Sequence, residues 1–172
     1  MIREARPDEL ATVGDVRIAA YKAGGFLNDG YAPELRALGS RGDGTVLIAV
    51  SEEHGQAART GPVADAGQIA GTIMLMHWPG GEVASGPEEA EIRALAVTPA
   101  AQKSGVGASL LRAALSCARL AGTRRVVLLT LSQMLTAHRL YERHGFLRLP
   151  ERDWSPHPGI DLLAYGLELD GG

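Results

Sequence analysis

Two glycines stand where a predicted strand gives way to a predicted helix, an arrangement that can bind phosphate. Gly105 and Gly107 follow the apolar segment 90–97 and precede a run to Gly122 whose apolar residues recur at helical spacing. The N–H groups at the beginning of a helix lack partners within it, and the helix dipole adds positive potential there. Because glycine has no Cβ, a ligand can approach the backbone closely. The segment predicts a cradle for a phosphate or pyrophosphate, although the same glycines also fit a tight turn that simply begins a helix.

This loop departs from the two common nucleotide-binding motifs. A P-loop has a lysine and a hydroxyl residue after its last glycine, where Ala108 stands here. A dinucleotide fingerprint has a third glycine, and Leu110 occupies that position. It also has an acidic residue after the next strand, but Ser132 follows the strand predicted over 125–131. Both standard nucleotide-binding interpretations are therefore disfavoured.

The residues around the glycines resemble the cofactor loop of the GNAT family of N-acetyltransferases. Segment 102–107 reads Gln-Lys-Ser-Gly-Val-Gly, which is similar to the family's Gln/Arg-x-x-Gly-x-Gly/Ala motif. In that family the loop binds the pyrophosphate of acetyl-coenzyme A (acetyl-CoA). The preceding residues 90–92 and 95–97 resemble the family's fourth strand. The resemblance implies that acetyl-CoA contacts Leu95, Ala96, Val97, Gln102, Lys103, Ser104, Gly105, Val106, Gly107, Ala108, Ser109, Ala137 and Tyr141.

A second motif stands in the family's order. Segment 137–146 reads Ala-His-Arg-Leu-Tyr-Glu-Arg-His-Gly-Phe and resembles the family's Ala-x-x-Leu-Tyr-x-x-x-Gly-Phe helix and following strand. Many members carry asparagine three residues before that alanine, but Met134 occupies this position here. The two motifs cover residues 90 to 149. The resemblance implies an α/β fold of GNAT type, in which a mixed, mostly antiparallel central sheet has helices on both faces.

Acetyl transfer to an amine needs a base and an acid. A lysine-like amine has a pKa of about 10.4 and must lose a proton before it attacks. Some family members place a general-base glutamate where Glu91 stands, and partial burial on a strand would raise the pKa of its carboxyl group. Tyr141 resembles the family's tyrosine acid. A backbone N–H near Val97 could stabilise the oxyanion if the strand splays there. The alternatives are an exposed charge at a strand end for Glu91 and a core aromatic for Tyr141.

Composition sets the remaining expectations. The 172 residues are 45% hydrophobic and 22% charged, with a net charge of −3, which predicts one globular domain over 1–172. No basic cluster predicts nucleic-acid binding, and no apolar run predicts a membrane segment. Cys117 is the only cysteine, and the five histidines lack ligand spacing, so we expect no disulfide and no metal. Without a signal peptide, a cytoplasmic protein is expected, and the resemblance suggests a homodimer.

The other elements follow from local patterns. A strand over 1–6 precedes a helix from Pro7 to about Gly24, whose buried stripe is predicted to be Leu10, Val13, Val16, Ala20 and Tyr21. Further strands are predicted over 45–50, 68–78 and 162–169, with a hairpin between 68–78 and 91–97. Segment 33–38 predicts a short helix, and segments 51–67, 79–87 and 150–159 predict loops. In the resembled family the region around 26–38 forms part of the acceptor site, although an ordinary connection with packed aromatic residues fits as well.

These observations predict an enzyme that moves an acetyl group from acetyl-CoA to a primary amine of a small molecule or protein. One alternative is a non-catalytic acyl-CoA sensor on the same fold. Another is a different nucleotide-cofactor α/β enzyme, such as a methyltransferase. The acceptor and the length of the acyl chain stay open at this point.

Overall fold

A computed structural model describes residues 1–51 and 68–169 of the chain. Its helices are α1 (Leu10–Ala23), α2 (Ala32–Ala37), α3 (Val106–Leu120) and α4 (Leu135–Arg143). Its strands are β1 (Ile2–Glu4), β2 (Thr45–Val50), β3 (Ile69–His77), β4 (Glu89–Val97), β5 (Arg125–Leu131), β6 (Leu147–Arg148), β7 (Trp154–His157) and β8 (Ile160–Glu168). All the helices and strands predicted in the described residues are present. The loop predicted over 51–67 lies, from residue 52 onward, outside them.

The strands form one mixed sheet. Its order is β1-β2-β3-β4-β5-β8-β6, and β7 also pairs with β8. Strands β4 and β5 run parallel, whereas the other pairs are antiparallel. The parallel pair arises because α3 connects the two strands across one face of the sheet. The mostly antiparallel α/β sheet implied by the resemblance is therefore confirmed.

Helices cover both faces of the sheet through two apolar clusters. The cluster on the α3 face buries the stripe that helical spacing predicted, which consists of Leu110, Leu111, Ala114, Leu115 and Ala118. Residues of α4 pack into the same cluster. The cluster on the opposite face joins α1 and α2 to strands β2 and β3 through Val13, Leu35, Leu38, Ile48 and Met74. Burial of these stripes provides the main drive for docking the helices on the sheet.

The loop predicted over 150–159 is partly wrong, because residues Trp154–His157 form the edge strand β7. It pairs with β8 through Trp154 with Leu162 and through His157 with Ile160, with an irregular register between the two pairs. Proline lacks the N–H that a central strand needs, and Pro156 therefore obscured the strand pattern. An edge strand tolerates proline, so the sequence pattern and the structure are compatible.

Candidate active site

Strands β4 and β5 separate halfway along their length. They pair only from Glu89 opposite Arg125 to Ile92 opposite Leu128. Beyond these pairs β4 continues to Val97 and β5 continues to Leu131 without pairing with each other. One backbone edge of β4 after Ile92 therefore faces a gap instead of a neighbouring strand. The splay that the predicted oxyanion site requires is present.

A β-bulge marks the point of separation. Thr72 pairs with Ala96 and Met74 pairs with Arg93, so Ile73 of β3 faces two residues of β4. One of them, Ala94, has a φ of 51°, in the left-handed region that residues with a Cβ rarely adopt. A bulge bends its strand and strengthens the local twist. The bulge at Ala94 thus accounts for the divergence of β4 from β5.

The beginning of α3 presents unpaired amides to the same gap. Gly105 caps the helix with a φ of 84°, and no side chain caps it. Among the described residues, no acceptor binds the N–H groups of Gly105, Val106, Gly107 or Ala108. A Cβ built on Gly105 would have no heavy atom within 4 Å, so open space adjoins these amides. The loop therefore fits a pyrophosphate group, which needs several donors at a close backbone approach.

Three elements meet at Gly107. A Cβ at this position would lie 3.5 Å from Leu140 Cδ2 of α4 and 3.6 Å from Val97 Cγ2 of β4. Gln102 extends the same arrangement, since its Nε2 atom donates to the carbonyl of Val97 at 3.5 Å. The two sequence motifs, which are separated by about thirty residues, therefore lie side by side around the gap.

The sequence-predicted cofactor residues differ in exposure. The loop residues Gln102, Lys103, Ser104 and Gly105 are exposed, while Ala96 and Tyr141 are buried. The half-buried members are Leu95, Val97, Val106, Gly107, Ala108, Ser109 and Ala137. This gradient from exposed loop to buried strand suits a ligand whose charged end stays near solvent and whose reactive end enters the fold.

Glu91 is buried in the first half of β4, with 1% of its surface exposed. Its Oε2 atom accepts backbone hydrogen bonds from Glu82 at 2.6 Å, Val83 at 2.9 Å and Ala84 at 3.5 Å. Burial raises the pKa of this carboxyl group, and the three amides oppose that rise. The exposed strand-end interpretation of Glu91 is therefore wrong. The carboxylate anchors the β3–β4 connection, and a carboxyl group with a raised pKa is suited to proton transfer.

Arg93 links this carboxylate to the α2 side of the fold, a contact that the sequence did not predict. Its Nη2 atom donates to Tyr31 Oη at 3.3 Å, Glu82 Oε1 at 3.1 Å and Glu34 Oε1 at 3.4 Å. Its Nε atom lies 3.8 Å from Glu91 Oε1. The guanidinium thus connects β4 with the beginning of α2 and with the β3–β4 connection. The only sequence signal was a basic residue two positions after Glu91 in the same strand.

Tyr141 lies on α4 with its ring in the core. The ring centroid lies 5.7 Å from that of Phe146 and 6.2 Å from that of Tyr165. Burial, with a smaller contribution from Tyr21, raises the pKa of the Tyr141 hydroxyl. No residue within 1–51 and 68–169 makes a hydrogen bond to that hydroxyl. The side chain therefore packs as a core aromatic and also keeps an uncommitted, protonated hydroxyl.

Two properties of the described residues bear on other functions. No group of three or more histidine, cysteine, aspartate or glutamate side chains in the described part of the chain is placed to hold a metal ion. None of its helices combines the length and apolar character needed to cross a bilayer.

Comparisons with known proteins agree with this geometry. The model of the Acetyltransferase (GNAT) family matches residues 29–146. A GNAT family acetyltransferase from Brucella melitensis, solved with acetyl-CoA, has a TM-score of 0.62 and 25% identity over 100% of this chain and 92% of that chain. A GNAT family acetyltransferase from Staphylococcus aureus Mu50 has a TM-score of 0.73 and 15% identity over 99% of each chain. A ribosomal-protein-alanine N-acetyltransferase from Brucella melitensis has a TM-score of 0.66 and 17% identity over 98% of this chain and 99% of that chain. No curated protein sequence matches the chain.

The family match spans more than half of the 172 residues and includes both the loop at 102–108 and the helix carrying Tyr141. A methyltransferase or another unrelated nucleotide-cofactor enzyme is thereby set aside. The chain belongs to the GNAT acetyltransferase family and is an acyltransferase.

Proposed function

We propose that the protein transfers the acetyl group of acetyl-CoA to a primary amine of a small molecule or protein. One observation carries the proposal: the unpaired amides of residues 105–108 border the gap where β4 leaves β5. Anions bind at such helix beginnings because the N–H groups and the helix dipole act together. The gap continues from there along the free edge of β4. This arrangement suits a long ligand with a pyrophosphate at one end.

Different residues would bind different parts of acetyl-CoA. The amides of Gly105 to Ala108 bind the pyrophosphate, and the exposed Lys103 adds positive charge nearby. The pantetheine arm lies along the backbone of β4 between Arg93 and Val97, where no β5 partner competes for hydrogen bonds. Small and apolar side chains at Ala96 and Ala137 leave space for the arm. The thioester then lies at the end of the gap, close to the bulge.

Glu91 is the proposed base. It accepts the proton that the ammonium group must lose, directly or through a water molecule. Its Oε2 atom already accepts three backbone hydrogen bonds, so Oε1 is the atom available for the proton. The neutral amine nitrogen then forms a bond to the thioester carbonyl carbon. A backbone N–H on the free edge of β4 stabilises the resulting oxyanion.

Tyr141 is the proposed acid. The tetrahedral intermediate collapses when its C–S bond breaks, and the sulfur leaves with the bonding electron pair as a thiolate. The Tyr141 hydroxyl donates a proton to that thiolate, which gives free coenzyme A. The acetylated nitrogen still carries one proton more than a neutral amide, and it returns this proton to the Tyr141 oxygen through water, which gives the N-acetylated amine. Because burial raises its pKa, the hydroxyl keeps its proton through neutral pH and can act as the donor.

Thiol release from acetyl-CoA tests the proposal. A panel of small amines, amino acids and peptide amines is incubated with acetyl-CoA, and free thiol is measured together with the mass of the acetylated acceptor. We expect thiol release that depends on an amine and matches the acetylated product one to one. Binding of acetyl-CoA without turnover on any amine would instead identify the acyl-CoA sensor. A thermal-shift comparison with NAD and S-adenosylmethionine checks ligand choice, and stabilisation by acetyl-CoA alone is expected.

Two further expectations accompany this function. A cytoplasmic location and a homodimer stay predictions, and cell fractionation and light scattering at several protein concentrations would test them.

A further inference from the structure

Arg17 is a fully buried cation on the inner face of α1. None of its surface is exposed, and it is the largest of the fully buried side chains. It lies one helical turn from Val13 and from Tyr21, within the apolar face that packs on α2 and the sheet. Arginine is almost never fully buried unless a partner satisfies it. Its surroundings therefore need an explanation.

Two of the three guanidinium nitrogens of Arg17 have no hydrogen-bond partner among the described residues. Its Nη1 atom donates to the carbonyl of Leu38 at 2.7 Å and more weakly to that of Leu35 at 3.4 Å. Its Nε and Nη2 atoms are fully buried and make no hydrogen bond within residues 1–51 and 68–169. Burial is the main reason why the pKa of Arg17 falls to about 10, so the group stays charged at neutral pH. Leaving a buried ion uncompensated is costly.

Binding the end of α2 does not require arginine. The carbonyls of Leu35 and Leu38 use one nitrogen, and a lysine would supply that donor without adding two buried donors. The unused Nε and Nη2 atoms lie on one edge of the planar guanidinium, where their N–H groups point in parallel. This edge matches the two oxygens of a carboxylate. The unsatisfied part of Arg17 therefore has the shape of a carboxylate site.

The position of Arg17 connects this edge to the proposed reactive groups. Tyr21 is close enough to affect the pKa of both Arg17 and Tyr141. Tyr31 is a further electrostatic neighbour of Arg17, and its hydroxyl accepts a hydrogen bond from Arg93. Contacts make the same connection, because the amide of Leu35, whose carbonyl accepts from Arg17, donates to the carbonyl of Tyr31. Arg93 donates to the Tyr31 hydroxyl and also lies 3.8 Å from Glu91, so a series of contacts joins Arg17 to the proposed base.

We propose that Arg17 binds a carboxylate group of the acceptor, so that the substrate is a small amine that also carries a carboxylate, such as an amino acid. This inference rests on the proposed acetyl transfer. The carboxylate forms two parallel hydrogen bonds with Nε and Nη2, and the amine of the same molecule points toward Glu91. Since the guanidinium is closed from solvent here, α1, α2 and their connection move apart when the acceptor enters.

Matched acceptors test the proposal with the wild-type enzyme. Glycine is compared with glycinamide, and other amino acids with their amides, at saturating acetyl-CoA. We expect kcat/KM to be at least about tenfold higher for each carboxylate, because charge-assisted bidentate pairs are strong. Equal values for acid and amide would overturn the proposal while leaving acetyl transfer intact.

Conservative variants identify the residue responsible. Arg17→Lys keeps the charge and the donor for Leu38 but removes the parallel edge, so we expect the preference for the acid over the amide to fall at least about tenfold. The KM for acetyl-CoA should not change. The matched control is Arg36→Lys on α2. Arg36 pairs with Asp15 on the surface, so this variant should keep the full preference for the acid. An Arg17→Lys enzyme with an unchanged preference would assign Arg17 a purely structural role.

Product binding separates failure of this inference from failure of the proposed function. Calorimetry measures the affinity of the wild-type protein for N-acetylglycine and for N-acetylglycinamide. This comparison needs no turnover, and it tests the carboxylate site even if Arg17→Lys does not fold. Tighter binding of the acid in an inactive protein would keep the carboxylate site and reject acetyl transfer. Equal binding of the two, with stabilisation by acetate alone, would identify a free anion beside Arg17 and reject the acceptor assignment.

Discussion

The backbone amide of Glu82 donates a 2.6 Å hydrogen bond to the carboxylate of Glu91, which ties the β3–β4 connection to the middle of the sheet. Residues 79–87 belong to the connection between β3 and β4, as the loop prediction expected. Glu91 accepts bonds from three consecutive amides of this connection. The proposed base is therefore held in place by its own loop.

Glu91→Gln separates the charge of this side chain from its anchoring bonds. The glutamine carbonyl can still accept from the loop amides, so we expect nearly unchanged unfolding temperature. Turnover should fall by about 100-fold or more, which is the usual contribution of a general base. In the wild type, kcat/KM should rise as pH passes upward through the raised pKa of Glu91, because only the ionised carboxylate accepts a proton. That rise should vanish in the variant. Full turnover of Glu91→Gln would leave Glu91 as an anchor only.

Gly81→Ala tests the packing around the same carboxylate. Gly81 has a φ of 91°, and a Cβ there would overlap Glu91 Oε2. Gly159 has a φ of 83° with no heavy atom near an added Cβ, so Gly159→Ala carries only the backbone penalty of about 1–2 kcal/mol. We expect Gly81→Ala to lose more stability than this control in urea unfolding and to lose turnover as well. Equal losses of stability in the two variants would show that the loop can shift to accommodate the added Cβ without moving Glu91.

Tyr141→Phe removes a hydroxyl that no described residue binds. The ring contacts with Phe146 and Tyr165 remain, so stability should change by less than about 1 kcal/mol. The rate of the chemical step should fall at least about tenfold, while acetyl-CoA affinity stays within about twofold. Tyr165→Phe is the control, since its hydroxyl is bonded to Glu142 at 3.1 Å and should not affect turnover. A fully active Tyr141→Phe would reduce Tyr141 to core packing.

Glu89 provides a prediction about acid stability. It is buried beside Arg152, whose two Nη atoms donate at 2.8 and 2.9 Å. Burial by itself would raise its pKa, but the bonds from Arg152 and Ser85 prevail and lower the pKa to about 2. A lowered native pKa adds stability above the ordinary pKa of 4.5, and this stability is lost as pH falls toward 2.

Glu89→Gln should therefore destabilise the protein at pH 6 and weaken the dependence of its stability on pH between 4.5 and 3. At pH 6, the free energy of unfolding in urea should be about 2 kcal/mol lower for Glu89→Gln than for the wild type. Glu88→Gln, at an exposed position, serves as the control and should change neither value. An unchanged pH dependence in Glu89→Gln would place the acid sensitivity elsewhere, for example at Glu9, whose pKa is also about 2 because of its bond with Arg3.

Local patterns in the sequence predicted most of the fold. The buried stripe of α3 and the bounds of β2 and β5 matched the structure because each depends on the periodicity of contiguous residues. The glycine loop could be recognised for the same reason. The bulge at Ala94 could not, because nothing in a run of apolar residues marks the one that adopts a positive φ.

The features that the sequence did not predict depend on contacts between residues that are distant in the chain. Arg93 donates to Tyr31, which lies 62 positions earlier in the chain, and Glu91 accepts from amides of the loop 79–87. Arg17 could have been noticed as a cation inside the apolar stripe that includes Val13 and Tyr21. However, helical spacing alone does not show whether such an arginine bends toward solvent or stays buried.

The affinity for acetyl-CoA in two matched glycine variants tests the central claim most directly. Gly105 at the beginning of α3 and Gly122 beyond its end have φ values of 84° and 78°, and an added Cβ would meet no atom at either position. Alanine therefore has the same backbone cost at both, but only at Gly105 does its methyl group enter the proposed pyrophosphate site. Calorimetry should show that Gly105→Ala weakens acetyl-CoA binding at least about tenfold and that Gly122→Ala keeps wild-type affinity. Equal affinities in the two variants would contradict the assignment of these amides to the cofactor.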